Sequence, residues 1–269
     1  MDNLYNSNDF VFFKKLIREA GELAKKIQGS GVEVSRKSDA TIVTQADLAV
    51  QKFIIDGISD RYDNFNFIYE EEFSGAARAI DNDTISIIID PIDGTAMFSM
   101  YLPIWCVSIG VFKGHDPLYG FVYSPGFGML FHNDDQHAYC NDEERAIIKE
   151  ARIDSESNFF YASEVRNTFT IDFPGKVRNI GSTALHACLL VDNARNRTIA
   201  FIGKSNLWDW AGAIPIILKA GGNLKFINGS DLDCRYIMEN NFAIPDYLVA
   251  YSTENFEVIR KIIKRNKGG

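Results

Sequence analysis

The sequence predicts a mixed α+β protein whose two lobes share one continuous core. Three patterns indicate this class: an amphipathic helix near the start, a run of antiparallel strands in the middle, and strands alternating with helices near the end. The 269 residues, 46% of them hydrophobic and 24% charged, suffice for a substantial core. We place the lobe boundary near residue 150, with lobes 1–153 and 154–269, and no Pro-, Gly- or Ser-rich linker separates them.

The first lobe is predicted to begin with two helices. Apolar residues recur at steps of three and four over 9–28, which is typical of an amphipathic helix, and a Gly-Ser-Gly turn ends it. A short strand is expected at 32–36. Thr44 and Asp47 then form an S/T-x-x-D capping box, which opens a second helix that runs to about residue 60.

Strands make up the rest of the first lobe. Apolar stretches at 66–69 and 85–89 are predicted strands, and the second is rich enough in β-branched residues to be buried on both faces. From 104 to 140, apolar stretches separated by turn residues predict an antiparallel meander. The second lobe alternates in the manner of an α/β unit. Its predicted elements are strand 158–162, helix 182–192, strand 198–202, helix 206–220, strand 223–227, strand 247–251 and helix 254–265.

The charge balance excludes two classes of partner. Lys and Arg number 28 against 36 Asp and Glu, so the chain carries a net charge of −8. This sign opposes attraction to a phosphate backbone or to an anionic membrane surface, so neither nucleic acid nor a membrane is an expected partner. The apolar stretches are also far shorter than the roughly 20 residues that cross a bilayer.

The N-terminal segment and the cysteines predict a cytoplasmic protein. The segment MDNLYNSNDF lacks both the basic region and the apolar region of a signal peptide. The four cysteines are widely spaced and form neither a CxxC pair nor a dense framework, which is typical of thiols in a reducing compartment. We therefore expect neither a disulfide scaffold nor a zinc cluster.

The most informative stretch is Asp-Pro-Ile-Asp-Gly-Thr at 90–95. A buried strand delivers Asp90 to its C-terminal end, and Pro91 keeps Asp90 extended. Gly94 permits a tight turn that brings backbone amides close to a ligand. Burying an ionised carboxylate is costly unless it is paired, and neither Arg nor Lys lies nearby in the sequence. A divalent cation is the expected counter-charge for Asp90 and Asp93.

Two further acidic positions can join this site. An acidic run at 70–72 follows another short strand, and it reaches the same sheet edge if the two strands are neighbours. Asp209 lies in the first turn of a predicted helix. Oxygen ligands without histidine favour Mg²⁺ or Mn²⁺ over zinc. The four histidines lack metal-ligand spacing and are interpreted as ordinary core or surface residues: His115, His132, His137 and His186.

The backbone amides around Thr95 are a candidate phosphate cradle if they open a helix. A metal, an anion pocket and the Thr95 hydroxyl together suggest transfer of a phosphoryl group to water. Structural interpretations stay open at this point. Asp47, Thr95 and Asp209 also fit helix-capping positions, and the acidic run at 70–72 fits a solvated charge run.

Four motifs in order resemble the inositol monophosphatase family, a family of metal-dependent, lithium-sensitive phosphatases. They are the 90–95 stretch, the acidic run before it, the segment from Lys37 to Asp47, and the segment from Trp208 to Gly222. The resemblance runs from about residue 10 to about residue 262. It implies a layered αβαβα sandwich, a homodimer, and a small phosphomonoester as the substrate.

The resemblance also implies the residues of the site. About two or three Mg²⁺ ions, with Mn²⁺ as a substitute, would be held by Glu70, Asp90, the Ile92 carbonyl, Asp93 and Asp209. Glu70 and Thr95 would orient a metal-bound water for direct attack on phosphorus, and Asp47 would orient Thr95. Lys37 would contact the site from a mobile loop. The residues that would contact the substrate or its phosphate are Asp93, Gly94, Thr95, Gly181, Ser182, Thr183 and Asp209.

Three alternatives stay open. Haloacid-dehalogenase-type phosphatases also contain a DGT tripeptide after a nucleophilic Asp, which would make Asp90 a covalent nucleophile, although two residues separate the acids here. A chain of this fold could also bind a metabolite or a protein without turnover. Within the family, the substrate could be histidinol phosphate, fructose 1,6-bisphosphate or a 3′(2′),5′-bisphosphate nucleotide, because Ile202 stands where an acid commonly grips sugar hydroxyls.

Overall fold

The computed structural model describes residues 7–31, 34–36, 42–71, 80–149 and 152–266. Its helices are α1 (Ser7–Ser30), α2 (Gln45–Ser59), α3 (Thr95–Ser99), α4 (Val165–Thr168), α5 (Thr183–Leu189), α6 (Asn193–Asn196), α7 (Leu207–Ala211), α8 (Ala213–Lys219), α9 (Cys234–Glu239) and α10 (Phe256–Ile262). Its strands are β1 (Val34–Arg36), β2 (Ile42–Thr44), β3 (Asn66–Tyr69), β4 (Ile85–Asp93), β5 (Cys106–Lys113), β6 (Asp116–Ser124), β7 (Met129–Asn133), β8 (Ala138–Cys140), β9 (Glu143–Arg145), β10 (Asn158–Tyr161), β11 (Phe169–Ile171), β12 (Lys176–Arg178), β13 (Thr198–Gly203), β14 (Asn223–Phe226), β15 (Leu248–Tyr251) and β16 (Ile263–Arg265).

Two large sheets form the body of the fold. Seven strands pair in the order β3-β4-β5-β6-β7-β8-β9, and every pair is antiparallel except β3 with β4. Five strands pair in the order β12-β10-β13-β15-β14, with β12, β10 and β13 parallel to one another. The predicted meander therefore forms the centre and one side of the larger sheet.

The side chains of β4 alternate between two helix layers. Ile87 and Ile89 pack in a core cluster with residues of α1 and α2, whereas Ile88 packs in the cluster that contains residues of α5, α7 and α8. On their far side, α5 and α8 contact β13 and β14 of the smaller sheet. Helix α10 packs against that sheet through Phe256, whose ring contacts Tyr251. The order helix, sheet, helix, sheet, helix confirms the predicted αβαβα sandwich.

One hydrophobic cluster extends through both halves of the chain, from Ile68 in the larger sheet to Ile263 near the C-terminal end. This cluster joins the two lobes as predicted, whereas α1 and α2 pack on the larger sheet in a second cluster. The boundary between residues 153 and 154 stays a prediction. Among the described helices, none is both long enough and apolar enough to cross a membrane.

The predicted helix 206–220 is in fact two helices, α7 and α8, which are separated at Gly212. A Cβ at Gly212 would lie 2.5 Å from the Ser108 Oγ, and a Cβ at Gly120 would overlap the carbonyl oxygen of Gly212. The glycines therefore let the helix break lie directly on β5 and β6. This contact seats α7, the helix that carries Asp209, on the sheet that carries the other acids.

The second lobe contains six elements that the sequence pattern did not predict: α4, α6, α9, β11, β12 and β16. The predicted helix 254–265 ends at Ile262, because residues 263–265 pair with β11 instead. The predicted helix 182–192 is shorter, since α5 ends at Leu189. Strand pairing with other segments accounts for β11, β12 and β16, and local periodicity carries no signal of it.

Candidate active site

The C-terminal end of β4 is irregular, and this irregularity brings two carboxylates together. Asp90 is opposite Ser108 on β5, and Asp93 is opposite Cys106, so β4 has one extra residue over this interval. In a regular strand, residues three apart point to opposite faces of the sheet. Because a bulge adds one residue, Asp90 and Asp93 can converge on the same side.

Asp90 and Asp93 meet Asp209 at this point. One carboxylate oxygen from each of the three residues lies within 4.8 Å of the others. Asp90 is fully buried: its Oδ1 accepts a hydrogen bond from the Ile92 N–H at 3.1 Å, and its Oδ2 is buried without a partner. An acceptor that is buried and unpaired in this way is costly unless a cation occupies the space beside it.

Asp93 is held by the first turn of α5. Its Oδ1 accepts a hydrogen bond from the Thr183 N–H at 3.0 Å. Its Oδ2 accepts from the Ala184 N–H at 2.6 Å and from the Ser182 hydroxyl, with the Cys106 thiol at 3.6 Å. Since these donors fix both oxygens, the orientation of the Asp93 carboxylate depends on a segment about ninety residues away in the chain.

Asp209 reaches the cluster from the first turn of α7. Its Oδ2 accepts a hydrogen bond from the Asn206 N–H at 2.8 Å, which is the backbone half of a capping box. The local motif predicted from the sequence is therefore present. This capping bond does not remove Asp209 from the site, because one oxygen of Asp209 still belongs to the three-carboxylate cluster.

Glu70 approaches from the neighbouring strand. Tyr69 pairs in parallel with Ile89, and the Glu70 N–H donates to the Ile89 carbonyl at 3.3 Å, so both acidic segments leave the sheet at one edge. The charge of Glu70 contributes to the raised pKa of Asp90, although its carboxylate lies outside the 4.8 Å cluster. Glu71 is buried, and its backbone forms two hydrogen bonds with the Gln51 side chain.

Burial and mutual repulsion raise the pKa values of the three clustered carboxyls. Burial is the largest cause for each of them. Neighbouring carboxylates raise the pKa values of Asp90 and Asp209 further, whereas the hydrogen bonds from Ser182, Thr183 and Ala184 oppose the rise for Asp93. A site that concentrates negative charge on oxygen atoms and leaves Asp90 Oδ2 unpaired fits a hard divalent cation such as Mg²⁺.

The Thr95 hydroxyl connects this cluster to Asp47. It lies 2.9 Å from the Ile92 carbonyl, to which it donates, and 3.5 Å from Asp47 Oδ1. The other Asp47 oxygen accepts from the Thr44 N–H at 2.7 Å and from the Thr44 hydroxyl at 2.6 Å. Burial raises the pKa of Asp47 to about 6, and the bonds from Thr44 oppose the rise.

The turns at Gly94 and Gly181 lie in close contact beside the site. Gly94 has a φ of +96° and caps α3, and a Cβ there would lie 3.1 Å from the Gly181 carbonyl oxygen. Gly181 has a φ of +90° and packs against the Met97 side chain. Both positions require the left-handed backbone conformation that glycine adopts readily.

The structure thus brings together most of the predicted site residues, which lie near the end of β4 and the starts of α2, α3, α5 and α7. Lys37 and Glu72 lie outside the described residues. Gly181, Ser182 and Thr183 adjoin the site, but Ser182 and the Thr183 N–H bind Asp93. The sequence offered no local signal for the Cys106 and Ala184 contacts, because they depend on tertiary packing.

Ile202 is a buried residue near the end of β13. It alternates along β13 with Phe201, whose ring stacks on His186 of α5 and Trp210 of α7. The Ile202 side chain therefore faces away from these two helices, and it is fully buried.

Comparisons with known proteins identify one family. A profile of the inositol monophosphatase family matches residues 6–266. Human inositol monophosphatase 1 is 29% identical over 244 residues, which cover 84% of this chain and 87% of that protein. Tomato inositol monophosphatase 1 is 29% identical over 228 residues, which cover 80% of this chain and 83% of that protein.

Solved structures share the fold. An IMPase from Thermotoga maritima superposes with a TM-score of 0.78 at 22% identity, covering 95% of this chain and 96% of that chain. Staphylococcal inositol monophosphatase-1, in a LiCl-soaked inhibitory complex, superposes with a TM-score of 0.80 at 16% identity, covering 100% of this chain and 98% of that chain.

Proposed function

Because this chain belongs to the inositol monophosphatase family and is a phosphomonoester hydrolase, we propose that it hydrolyses a small phosphorylated metabolite resembling an inositol monophosphate. The observation that carries the proposal is the meeting of Asp90, Asp93 and Asp209, with a buried and unpaired oxygen on Asp90. Histidinol phosphate, fructose 1,6-bisphosphate and 3′(2′),5′-bisphosphate nucleotides stay alternatives as substrates.

We propose Mg²⁺ as the cofactor, about two or three ions per site as in related multi-metal hydrolases, with Mn²⁺ as a substitute. The residues that would hold it are Glu70, Asp90, the Ile92 carbonyl, Asp93 and Asp209. When bound, the metal neutralises charge on phosphoryl oxygens and lowers the pKa of water. Backbone donors already orient Asp90, Asp93 and Asp209, so little rearrangement is needed to bind it.

Thr95, Asp47 and Glu70 are proposed to orient the attacking water. The Thr95 hydroxyl donates to the Ile92 carbonyl at 2.9 Å, with Asp47 Oδ1 at 3.5 Å, so its oxygen lone pairs can accept a hydrogen bond from water. The Glu70 carboxylate is a second acceptor at the same edge. Two acceptors can fix the direction of one water, and that arrangement favours in-line displacement without a covalent enzyme intermediate.

The phosphate and the alcohol of the substrate are proposed to contact opposite sides of the site. The backbone amides of Gly94 and Thr95 would donate to phosphoryl oxygens, beside Asp93 and Asp209. Gly181, Ser182 and Thr183 would contact the alcohol portion, chiefly through groups that Asp93 does not already use. Lys37 is proposed as a further contact from its own segment.

Three properties accompany this proposal. We propose a homodimer and inhibition by lithium, both general expectations for the family. We also propose a reducing compartment such as the cytoplasm, because all four cysteines are buried as free thiols. Sedimentation measures the first property, and phosphate release with rising Li⁺ at fixed Mg²⁺ measures the second.

The central test is Mg²⁺-dependent phosphate release from four compounds: inositol 1-phosphate, histidinol phosphate, fructose 1,6-bisphosphate and 3′-phosphoadenosine 5′-phosphate. We expect release that requires metal and disappears in Asp93→Asn. The matched control is Asp83→Asn, which changes an exposed acid near the other end of β4.

Two results would contradict the proposal in different ways. No release with any metal or substrate would favour a protein that binds without turnover. A trapped aspartyl-phosphate at Asp90 would replace direct attack by water with a covalent mechanism.

A further inference from the structure

His186 lies in the layer of helices between the two sheets. It contacts the turn that orients Asp93 directly, and the helix that carries Asp209 through Phe201. It is on α5, it is 1% exposed, and its Nε2 accepts a hydrogen bond from the Ile180 N–H at 2.8 Å. Ile180 belongs to the turn 179–182, which is the turn that presents the Ser182 hydroxyl to Asp93. The bond therefore ties this turn to the body of the helix.

The ring of His186 also belongs to an aromatic stack. Its centroid lies 4.8 Å from that of Phe201, with an angle of 22° between the planes, and Phe201 lies 5.0 Å from Trp210 at 26°. Trp210 follows Asp209 directly on α7. The stack therefore connects the helix whose first turn holds Asp93 with the helix that carries Asp209.

Packing alone does not explain a histidine at this position. The rings that contact His186 are those of Phe160 and Phe201, and a phenylalanine would fill the same space without burying polar nitrogens. Accepting the Ile180 N–H is the contact that a phenyl ring could not make. Burial lowers the pKa of His186 to about 3, so the ring is neutral near pH 7 and Nε2 is available as an acceptor.

We propose that His186 is a positioning residue that holds the turn 179–182 and thereby sets the orientation of Asp93 relative to Asp209. This inference rests on the proposed function, because it assigns those two carboxylates to one metal site. It predicts that the acceptor atom at Nε2, rather than the volume of the ring, determines metal affinity and turnover.

Three substitutions separate the acceptor from the ring. His186→Phe keeps the ring and removes the acceptor. His186→Gln removes the ring but places a side-chain oxygen at the distance of Nε2. His186→Asn removes the ring, and its oxygen stops near the position of Nδ1, so it serves as a second acceptor-free variant.

The primary measurement is the Mn²⁺ dissociation constant by titration calorimetry without substrate, followed by kcat/KM for inositol 1-phosphate. We expect His186→Phe and His186→Asn to weaken Mn²⁺ binding and to lower kcat/KM by about three- to tenfold, the size expected for one lost hydrogen bond. We expect His186→Gln to stay within about twofold of the wild type, because the bond is kept. The melting temperature identifies folded variants.

His132→Phe is the matched control. His132 is also buried in an aromatic stack, between Phe121 and Tyr139, but it lies on β7 away from the carboxylates. We expect His132→Phe to leave the Mn²⁺ affinity and kcat/KM unchanged even if its melting temperature shifts.

Two outcomes would overturn the inference. Wild-type Mn²⁺ affinity in folded His186→Phe and His186→Asn would show that the acceptor has no positioning role. An affinity loss in His186→Gln as large as in His186→Phe would show that the imidazole acts only through packing. Because Mn²⁺ binding is measured without substrate, these outcomes are distinguishable from a failure of the wild type to hydrolyse any of the four substrates.

Discussion

Helices α2 and α7 begin with the same local motif, but their capping carboxylates face different partners. Asp47 and Asp209 each accept a hydrogen bond from the backbone N–H three residues earlier, at 2.7 and 2.8 Å. Asp47 then faces the Thr95 hydroxyl, whereas Asp209 lies beside Asp90 and Asp93. A capping box fixes one oxygen of a carboxylate, and the segment across from the helix decides the role of the other.

The two carboxylates also differ in how their charge is balanced. Asp47 receives a second hydrogen bond from the Thr44 hydroxyl, and burial raises its pKa only to about 6. Burial and the charges of Asp93 and Glu70 raise the pKa of Asp209 well above its usual range. Asp209 therefore depends more strongly on an external cation, while Asp47 is stabilised chiefly by its own helix.

The largest expected effect is that of Asp209→Asn. The amide keeps the size of the side chain and can still accept from the Asn206 N–H, but it removes one of three clustered charges. We expect kcat/KM to fall by more than about 100-fold, beyond the range for residues that only orient ligands, with a matching loss of Mn²⁺ affinity. Unchanged Mn²⁺ binding would remove Asp209 from the metal site.

Asp47→Asn should have a smaller effect of a different kind. It leaves the three clustered carboxylates intact and weakens the orientation of Thr95. We expect kcat/KM to fall by about 10- to 100-fold, with little change in the Mn²⁺ dissociation constant. If Mn²⁺ affinity falls as far as in Asp209→Asn, the distinction between the two helices is wrong.

The pH dependence of the unfolding free energy, measured on metal-free protein, tests the same comparison between Asp47 and Asp209. The folded pKa of Asp47 is raised from 3.8 to about 6, so the folded state holds a proton that the unfolded chain has already released. The unfolding free energy should therefore fall as the pH rises from about 4 to about 6, by about 3 kcal/mol from Asp47 alone. Thermal unfolding in EDTA measures this slope, and it should be shallower in Asp47→Asn. An unchanged slope in that variant would contradict the assignment to Asp47.

Thr44→Val should have the smallest effect. Thr44 accepts from the Ala46 N–H at 3.2 Å and donates to Asp47, so valine removes the side-chain half of the cap. We expect the unfolding free energy to fall by about 1 kcal/mol, as for other lost N-caps, and kcat/KM to fall less than in Asp47→Asn. Thr44→Ser keeps the hydroxyl and is the control, so an equal loss in both variants would exclude the cap as the cause.

The three clustered acids could be predicted from the sequence because they lie in short local motifs. Asp90 and Asp93 share one strand end, and Asp209 lies in a capping box. Their supporting contacts could not be predicted. The donors that hold Asp93 come from α5, and the ring that we propose to position this turn, His186, has no distinguishing neighbour in the sequence.

The difference between local and distant determinants also explains which helices and strands could be predicted and which could not. Helix α1 is specified by its own periodicity, and the structure confirms it over Ser7–Ser30. The break between α7 and α8 arises from contact with β5 and β6, and β16 exists only because β11 lies beside it. Elements that are defined by a distant partner leave only weak patterns in the local sequence.

The absence of a side chain at Gly120 has a practical consequence. Because a Cβ at this position would overlap the backbone of Gly212, a single added methyl group would act as a wedge between the sheet and the helix pair above it. Gly120→Ala would keep every acidic residue, but it would displace α7, and with it Asp209, from Asp90 and Asp93. Such a variant would test whether the presence of the acidic residues is enough for metal binding, or whether their spatial arrangement is also required.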